Sequence, residues 1–308
     1  MLDARRTHQP VPPRARLSCL EPLGVGTPDC ESLQGYVGRL AAVHRVSVAD
    51  LIELVRGLPQ FDGERYELSV GRKLYRGRTP GLFAVRLARL TGVPKVGAIG
   101  MPWADHTITI RNHVRWAPVW CSECWREDDL EGRPRYHRLL WSLNIHSRCQ
   151  RHRTPLASTC SSCGSSAQGD AMALPDAGGC RQCGADLLDS RNGVGSQSAV
   201  DTHPPGPGTH LEDLFAELVA EMPRLGEAAR LPDLERAIGL IKSKANVDLQ
   251  KEVLRVACLA PCHFIQLQRS ANKRNPTSIL AIIKLAAAAG VRISDLLRLG
   301  SRPREFPW

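Results

Sequence analysis

The residues best suited to do chemistry in this sequence are four pairs of metal ligands, each pair separated by two positions. They are Cys121/Cys124, Cys149/His152, Cys160/Cys163 and Cys180/Cys183. Two intervening residues place two donor atoms about one tetrahedral edge apart, so two such pairs can close a four-coordinate zinc site. We therefore predict two structural zinc ions, bound by eight protein ligands.

The spacing of the pairs favours sequential pairing but leaves a second arrangement open. Cys160 to Cys183 reads C-x2-C-x16-C-x2-C, and Cys121 to His152 reads C-x2-C-x24-C-x2-H. The shorter loop closes with the smaller entropy cost, which favours one site of four cysteines and one of three cysteines and a histidine. An interleaved arrangement would use the same eight residues.

The sequence gives little support to an enzyme. A catalytic zinc keeps an open coordination position, whereas both predicted sites are filled by protein ligands. The chain has no Walker A motif and no recognisable set of carboxylates for a two-metal nuclease. Redox-active thiols are a poorer explanation of the pairs, because a thioredoxin-like site lies within a βαβ unit and the sequence around these pairs shows no such unit.

The other four cysteines lack a partner pair and are expected to be small hydrophobic residues: Cys19, Cys30, Cys258 and Cys262.

Composition favours an anionic partner, with nucleic acid before a membrane. The 308 residues carry a net charge of +10, with 41 basic and 31 acidic side chains. The excess lies at the two ends: residues 1–115 carry +7, 116–190 carry −1 and 191–308 carry +4. No signal peptide or membrane span is readable, so we expect a cytoplasmic protein with no membrane partner. The oligomeric state stays open, a homodimer included.

The pattern along the chain predicts a mainly α protein with a small zinc-ribbon region. We predict the following domains: a proline-bearing extended arm (1–17), a helical, helix-turn-helix-like domain (18–115), tandem zinc ribbons (116–190), a Gly/Pro linker (191–210) and a C-terminal all-helical domain (211–308). The prolines and glycines of the linker cannot bury a core.

Apolar periodicity predicts four helices along the chain. The first carries Leu33, Val37, Leu40 and Ala41. The second opens at a Ser47/Asp50 capping box and buries Leu51, Leu54 and Val55, and the third spans 81–91. The fourth ends at Pro223 and carries Leu211, Leu214, Phe215, Leu218, Val219 and Met222. Three similar segments, starting at Leu40, Leu87 and Leu285, each read as a helix end, a left-handed turn residue and a valine returning to the core. The turn residues would be His44, Gly92 and Gly290. These units fit either nucleic-acid readers or simple helical packing.

Four tryptophans flank the first ligand set and are expected to pack beneath its metal: Trp116, Trp120, Trp125 and Trp141.

Several of these segments together resemble the TniQ/TnsD family of bacterial transposon proteins. The segments are Glu31-Ser-Leu33-Gln-Gly-Tyr36-Val-Gly-Arg39-Leu40-Ala41, Trp116-Ala-Pro-Val-Trp-Cys121-Ser-Glu-Cys124-Trp-Arg-Glu-Asp128, Tyr136-His-Arg-Leu-Leu-Trp141, Cys149-Gln-Arg-His152-Arg-Thr-Pro-Leu156 and Cys160-Ser-Ser-Cys163-Gly164. They cover about residues 18–190. The family commonly has Cys-Pro where this chain has Cys121-Ser122. This difference does not change the metal ligands, because the cysteine is kept.

The resemblance implies a non-enzymatic target-selection adaptor. Such a protein would link target DNA or an RNA-guided CRISPR effector to an AAA+ transposition ATPase. We expect residues 18–115 to carry the contact to that ATPase, with Arg39 and Arg45 as partner-binding residues. The alternative is a zinc-containing helix-turn-helix transcriptional regulator, which would bind its operator without a partner ATPase.

Residues 249–299 resemble a helix-turn-helix domain of the lambda-repressor/Cro type. The resemblance implies a recognition helix over 259–269, a basic loop over 273–277 and closing helices over 278–289 and 294–299. The resemblance implies DNA contacts by His263, Gln266, Arg269, Lys273 and Arg274. A helical packing domain that contacts only protein is the alternative.

Overall fold

The computed structural model describes residues 16–56, 79–100, 108–109, 115, 118–166, 178–180, 182–188, 208–225, 277–278 and 292. These residues are mainly helical, as predicted. The helices are α1 (Leu33–His44), α2 (Val48–Arg56), α3 (Thr79–Thr91), α4 (Lys95–Ile99), α5 (Ser122–Leu130), a 3-10 helix (Leu139–Ser142) and α6 (Gly208–Leu225). None of these helices combines the length and hydropathy needed to cross a bilayer.

Helix α1 forms where the periodicity predicted it. Ser32 caps its first turn, since the Ser32 Oγ accepts a hydrogen bond from the Gly35 N–H at 3.1 Å. Its apolar face is buried, with Tyr36 and Leu40 fully inaccessible to solvent. The Tyr36 hydroxyl donates to the Leu20 carbonyl at 2.8 Å, which holds the preceding segment on this helix.

The turns that end α1 and α3 share one hydrogen-bond pattern. The Val46 N–H donates to the Ala41 carbonyl and the Val93 N–H to the Ala88 carbonyl, both at 3.1 Å. Gly92 has the predicted left-handed backbone, with φ of 70°. In the first turn, however, the prediction of His44 was wrong, because Arg45 takes that conformation with φ of 54°. Val46 is 43% exposed, so only Val93 returns to the core.

Replacing Arg45 by glycine is expected to raise the free energy of unfolding by about 1 kcal/mol, because glycine carries no Cβ penalty in the left-handed region. Urea unfolding of the full chain measures this change. Gly92→Ala is the matched opposite, and it should lower stability by about the same amount. Equal stability of both variants and the wild type would contradict the strain assigned to these turns.

Helix α2 begins at the predicted cap but turns a different face inward. The Ser47 Oγ accepts from the Asp50 N–H at 3.0 Å and donates to the Asp50 carboxylate at 2.7 Å. Leu51 and Val55 are buried as predicted, but Leu54 is 51% exposed and Ile52 takes its place in the core. Helix α2 packs between α1 and α3, and this packing selects the face that carries Leu51, Ile52 and Val55.

Helix α6 packs against α4 and the 3-10 helix. Its residues Phe215, Leu218 and Val219 are buried, as the periodicity predicted. It begins at Gly208, inside the predicted linker, and it continues past Pro223 to Leu225, so the predicted end was wrong. A proline this close to a helix terminus removes one hydrogen bond without preventing a last half-turn.

Two short strands complete the described elements. The strands β1 (Ile108–Thr109) and β2 (Thr277–Ser278) pair in parallel. The prediction that a helix opens at Ser278 is therefore wrong at that residue, which lies in a strand. Thr277 is β-branched, which favours the extended backbone that pairs with β1.

Candidate metal centres

The first ligand set comes together as a compact cluster. The His152 Nδ1 lies 3.5 Å from the Cys121 Sγ, 3.3 Å from the Cys124 Sγ and 3.6 Å from the Cys149 Sγ, and the Cys124 and Cys149 sulfurs are 3.5 Å apart. A tetrahedral site with sulfur ligands at about 2.3 Å has edges of about 3.7 Å. The four donor atoms can therefore hold one metal ion with little adjustment.

A helix and a turn supply these four ligands. Cys121 is the N-cap residue of α5 and Cys124 lies in its first turn, while Cys149 and His152 lie on a turn closed by the Arg148–Pro155 bridge. A second bridge joins Trp120 to Ala157, which brings the turn beside the start of α5. All three cysteines are buried.

The second ligand set forms a separate cluster of four thiols. Cys160 and Cys183 have sulfurs 3.7 Å apart, as do Cys163 and Cys180. These distances also match tetrahedral edges, so this set too can hold one metal ion. Backbone N–H donation from Cys183, with help from the Ser165 hydroxyl, lowers the pKa of the Cys180 thiol to about 6. A lowered pKa favours the thiolate, which is the form that binds metal.

The structure thus groups the eight ligands in the sequential arrangement. Ligands of the two sets differ in solvent exposure: Cys163 and Cys183 are exposed, whereas Cys121, Cys124 and Cys149 are buried.

Three of the four ligand pairs adopt one turn geometry. In each, the N–H of the first cysteine donates to the carbonyl five residues later, and its own carbonyl accepts from the N–H four residues later. That fourth residue has positive φ in all three turns: 57° at Arg153, 68° at Gly164 and 73° at Gly184. The repeated turn aims both ligands of a pair to the same side.

An aromatic cluster lies beneath the ligands. Trp120 and Trp125 stack with ring centroids 5.6 Å apart, and Trp141 meets Trp125 edge-on at 6.2 Å. All three are buried, as predicted, and they share one core with the five buried cysteine ligands, Cys121, Cys124, Cys149, Cys160 and Cys180. Trp116 lies outside the described residues.

A buried ion pair supports this core. Asp128 and Arg138 are almost completely buried, and the guanidinium donates two hydrogen bonds to the carboxylate at 2.8 Å and 2.9 Å. The Arg138 guanidinium also lies over the Tyr136 ring, 4.1 Å from its centroid, and 4.9 Å from the Trp141 centroid. Bidentate pairing and aromatic contacts offset the cost of removing both charges from water.

A second arginine joins the two clusters. Arg135 donates to Asp129, on the helix of the first cluster, and to Asp186, three residues after the last ligand of the second. Both contacts are 2.7 Å long. A Cβ added at Gly178 would lie 2.8 Å from the Arg135 guanidinium, so the second cluster fits closely against this side chain.

The N-terminal helices are joined to the metal-ligand region by backbone pairing. The Ser32 N–H donates to the His137 carbonyl at 2.8 Å and the Leu139 N–H to the Cys30 carbonyl at 2.7 Å. The Ser32 hydroxyl lies 3.0 Å from the His137 Nδ1, and burial lowers the pKa of His137 to about 3. The ring is therefore neutral at physiological pH and serves as a hydrogen-bonding core residue.

The remaining predicted residues fall into three groups. Arg39 forms a bidentate ion pair with the buried Glu31 at 2.7 Å, so its charge is engaged within the chain, whereas Arg45 is exposed. Cys30 is buried as expected, and burial raises its pKa to about 12, but Cys19 is exposed. All five predicted DNA contacts, together with Gly290, Cys258 and Cys262, lie outside the described residues.

Sequence reasoning missed the charged residues that organise the site, Glu127, Asp128, Arg135 and Arg138. Glu127 and Asp128 belong to the acidic run Glu127-Asp-Asp129 after the first ligand pair, which reads as an exposed helix end. The packing of 135–139 across α5 buries part of it.

Part of the chain matches the model of a known family. The TniQ family model matches residues 22–156, which include α1 to α5 and the whole first cluster but end before Cys160. No curated protein matches the chain. Residues 22–156 of this chain therefore form a TniQ family domain.

Proposed function

We propose that this chain is a non-enzymatic target-selection adaptor of a bacterial DNA transposition system. It links target DNA, or an RNA-guided CRISPR effector, to an AAA+ transposition ATPase. The observation that carries the proposal is the TniQ family domain over residues 22–156, because that family acts in transposition target selection.

The two clusters support a structural metal in each half of the ribbon region. Each offers four protein donors and so leaves no coordination position for a substrate, and three thiolates with one imidazole or four thiolates are the donor sets that Zn²⁺ prefers. We therefore assign two structural Zn²⁺ ions to the protein, with the eight clustered residues as ligands.

The turn between α1 and α2 is the surface that we assign to the ATPase contact. Arg45 is exposed there, and its apolar neighbours in sequence, Val43 and Val46, are 53% and 43% exposed. A positive charge flanked by accessible apolar side chains suits a protein surface that carries a carboxylate. Arg39 does not belong to this surface, since Glu31 neutralises it.

The test is capture of the AAA+ ATPase by the full chain after nuclease treatment. Arg45→Glu should reduce association most at low salt, and Arg45→Gly should reduce it less while leaving the fold intact. Arg126→Glu, on α5, is the control and should bind like the wild type. Tight binding of an operator with no capture of the ATPase would replace this proposal by a transcriptional regulator.

A further inference from the structure

His152 is held on both of its ring nitrogens. Its Nδ1 faces the three cysteine sulfurs, and its Nε2 lies 2.9 Å from the Glu127 Oε1. Glu127 stands three residues after Cys124 in α5, so one helix face carries a metal ligand and the hydrogen-bond partner of another ligand. A carboxylate that accepts from Nε2–H places the ring proton there and leaves the Nδ1 lone pair for the metal.

Glu127 is itself fixed from its other side. Its Oε2 lies 2.8 Å from the Arg151 Nη2, and Arg151 directly precedes His152 in the ligand turn. Glu127 thus contacts the His152 imidazole through one carboxylate oxygen and the Arg151 guanidinium through the other, and the two contacts together favour the rotamer that faces His152.

Arg151 extends the chain of contacts to the segment that precedes α1. Its Nη1 lies 3.4 Å from the Asp29 Oδ2, and the other oxygen of Asp29 lies 3.8 Å from the Arg138 Nε. Asp29 adjoins Cys30 and Glu31, whose backbone pairs with 138–139. The metal ligand His152 and the entry to α1 are thus connected through two ion pairs and one hydrogen bond.

We propose that Glu127 is the positioning residue for His152. Through the contacts of Glu127 with Arg151 and of Arg151 with Asp29, metal binding at the first cluster and the position of the segment before α1 depend on each other. The proposal rests on the metal occupancy assigned above, and it is independent of the role in transposition. Because the coupling is a free energy, it acts equally in both directions.

The first experiment measures metal affinity by chelator competition on the full, zinc-loaded chain. Glu127→Ala should weaken the first site about 10- to 100-fold. Glu127→Gln should recover part of the loss, because the amide oxygen still accepts from Nε2–H. Glu123→Ala is the matched control, since Glu123 lies on the same helix, is exposed and pairs only with Arg126 among the contacts described for it.

Two internal readouts separate positioning from a general loss of structure. The four-cysteine site should release its metal at the wild-type rate in every variant. In the Co²⁺-loaded chain, the visible absorption of the three-sulfur, one-nitrogen site should shift in Glu127→Ala and stay unchanged in Glu123→Ala. Equal affinities and spectra for these two variants would overturn the positioning role.

The second experiment tests the coupling. Asp29→Asn should weaken the first site by about two- to five-fold, as expected for a partly exposed ion pair. In an Arg151→Met background the same change should have no further effect, because the link is already cut. Additive effects would overturn the coupling. A wild-type chain that is folded and holds no metal would overturn the inference and the zinc assignment together, while leaving the TniQ-based function standing.

Discussion

Replacing Cys124 by serine is expected to leave one zinc ion per chain instead of two and to unfold the core around Trp125. Cys124 is fully buried and is one of the four donors of the first cluster. A serine hydroxyl does not replace a thiolate, and structural zinc supplies about 10–16 kcal/mol of folding free energy at neutral pH. Zinc analysis of the purified chain and tryptophan fluorescence measure the two effects.

Cys30→Ser is the matched control for this prediction. Cys30 is as well buried as Cys124, but it stands outside both clusters and its pKa of about 12 keeps it a neutral thiol. This variant should keep two zinc ions and lose about 1–2 kcal/mol of stability through a polar atom placed in the core. Cys163→Ser should also hold one zinc ion, while the fluorescence of Trp125 should change less. Two zinc ions in Cys124→Ser would contradict the ligand assignment.

Replacing Arg138 by methionine is expected to lower the free energy of unfolding by about 3–5 kcal/mol. The change leaves the Asp128 carboxylate buried, with the longer 3.2 Å contact to Arg133 as its remaining ion pair. It also removes the cation from the Tyr136 and Trp141 rings. Urea unfolding of the zinc-loaded chain measures the loss.

A double variant distinguishes the cost of a stranded charge from a loss of packing. Asp128→Leu combined with Arg138→Met should recover much of the stability, because no uncompensated charge stays in the core. Arg126→Met is the surface control: its ion pair with Glu123 is exposed, so it should change stability by less than about 1 kcal/mol. A single Arg138→Met variant as stable as this control would show that the buried pair contributes little.

Local chemistry was readable from the sequence because it depends on neighbours along the chain. The two-residue spacing identified all eight clustered ligands, the serine cap marked the start of α2, and periodicity located α1, α3 and α6. The resemblance to TniQ proteins also rested on local segments, and the family match over 22–156 agrees with it.

Other features depended on contacts between distant segments, and only the tertiary structure decided them. The packing of α2 between α1 and α3 placed Ile52 and not Leu54 in the core. Residues 135–139 pack against α5, so Asp128, which the sequence places at an exposed helix end, is buried in an ion pair with Arg138. Spacing also left two ligand pairings open, because any two pairs can close a tetrahedral site. The bridges that bring the 149–152 turn beside α5 group the first four ligands, and no periodicity encodes them. The sequence by itself therefore determined which residues can bind metal and which segments are helical. The tertiary structure decided which of these residues contact one another, because side chains far apart in sequence become neighbours only after the backbone has packed.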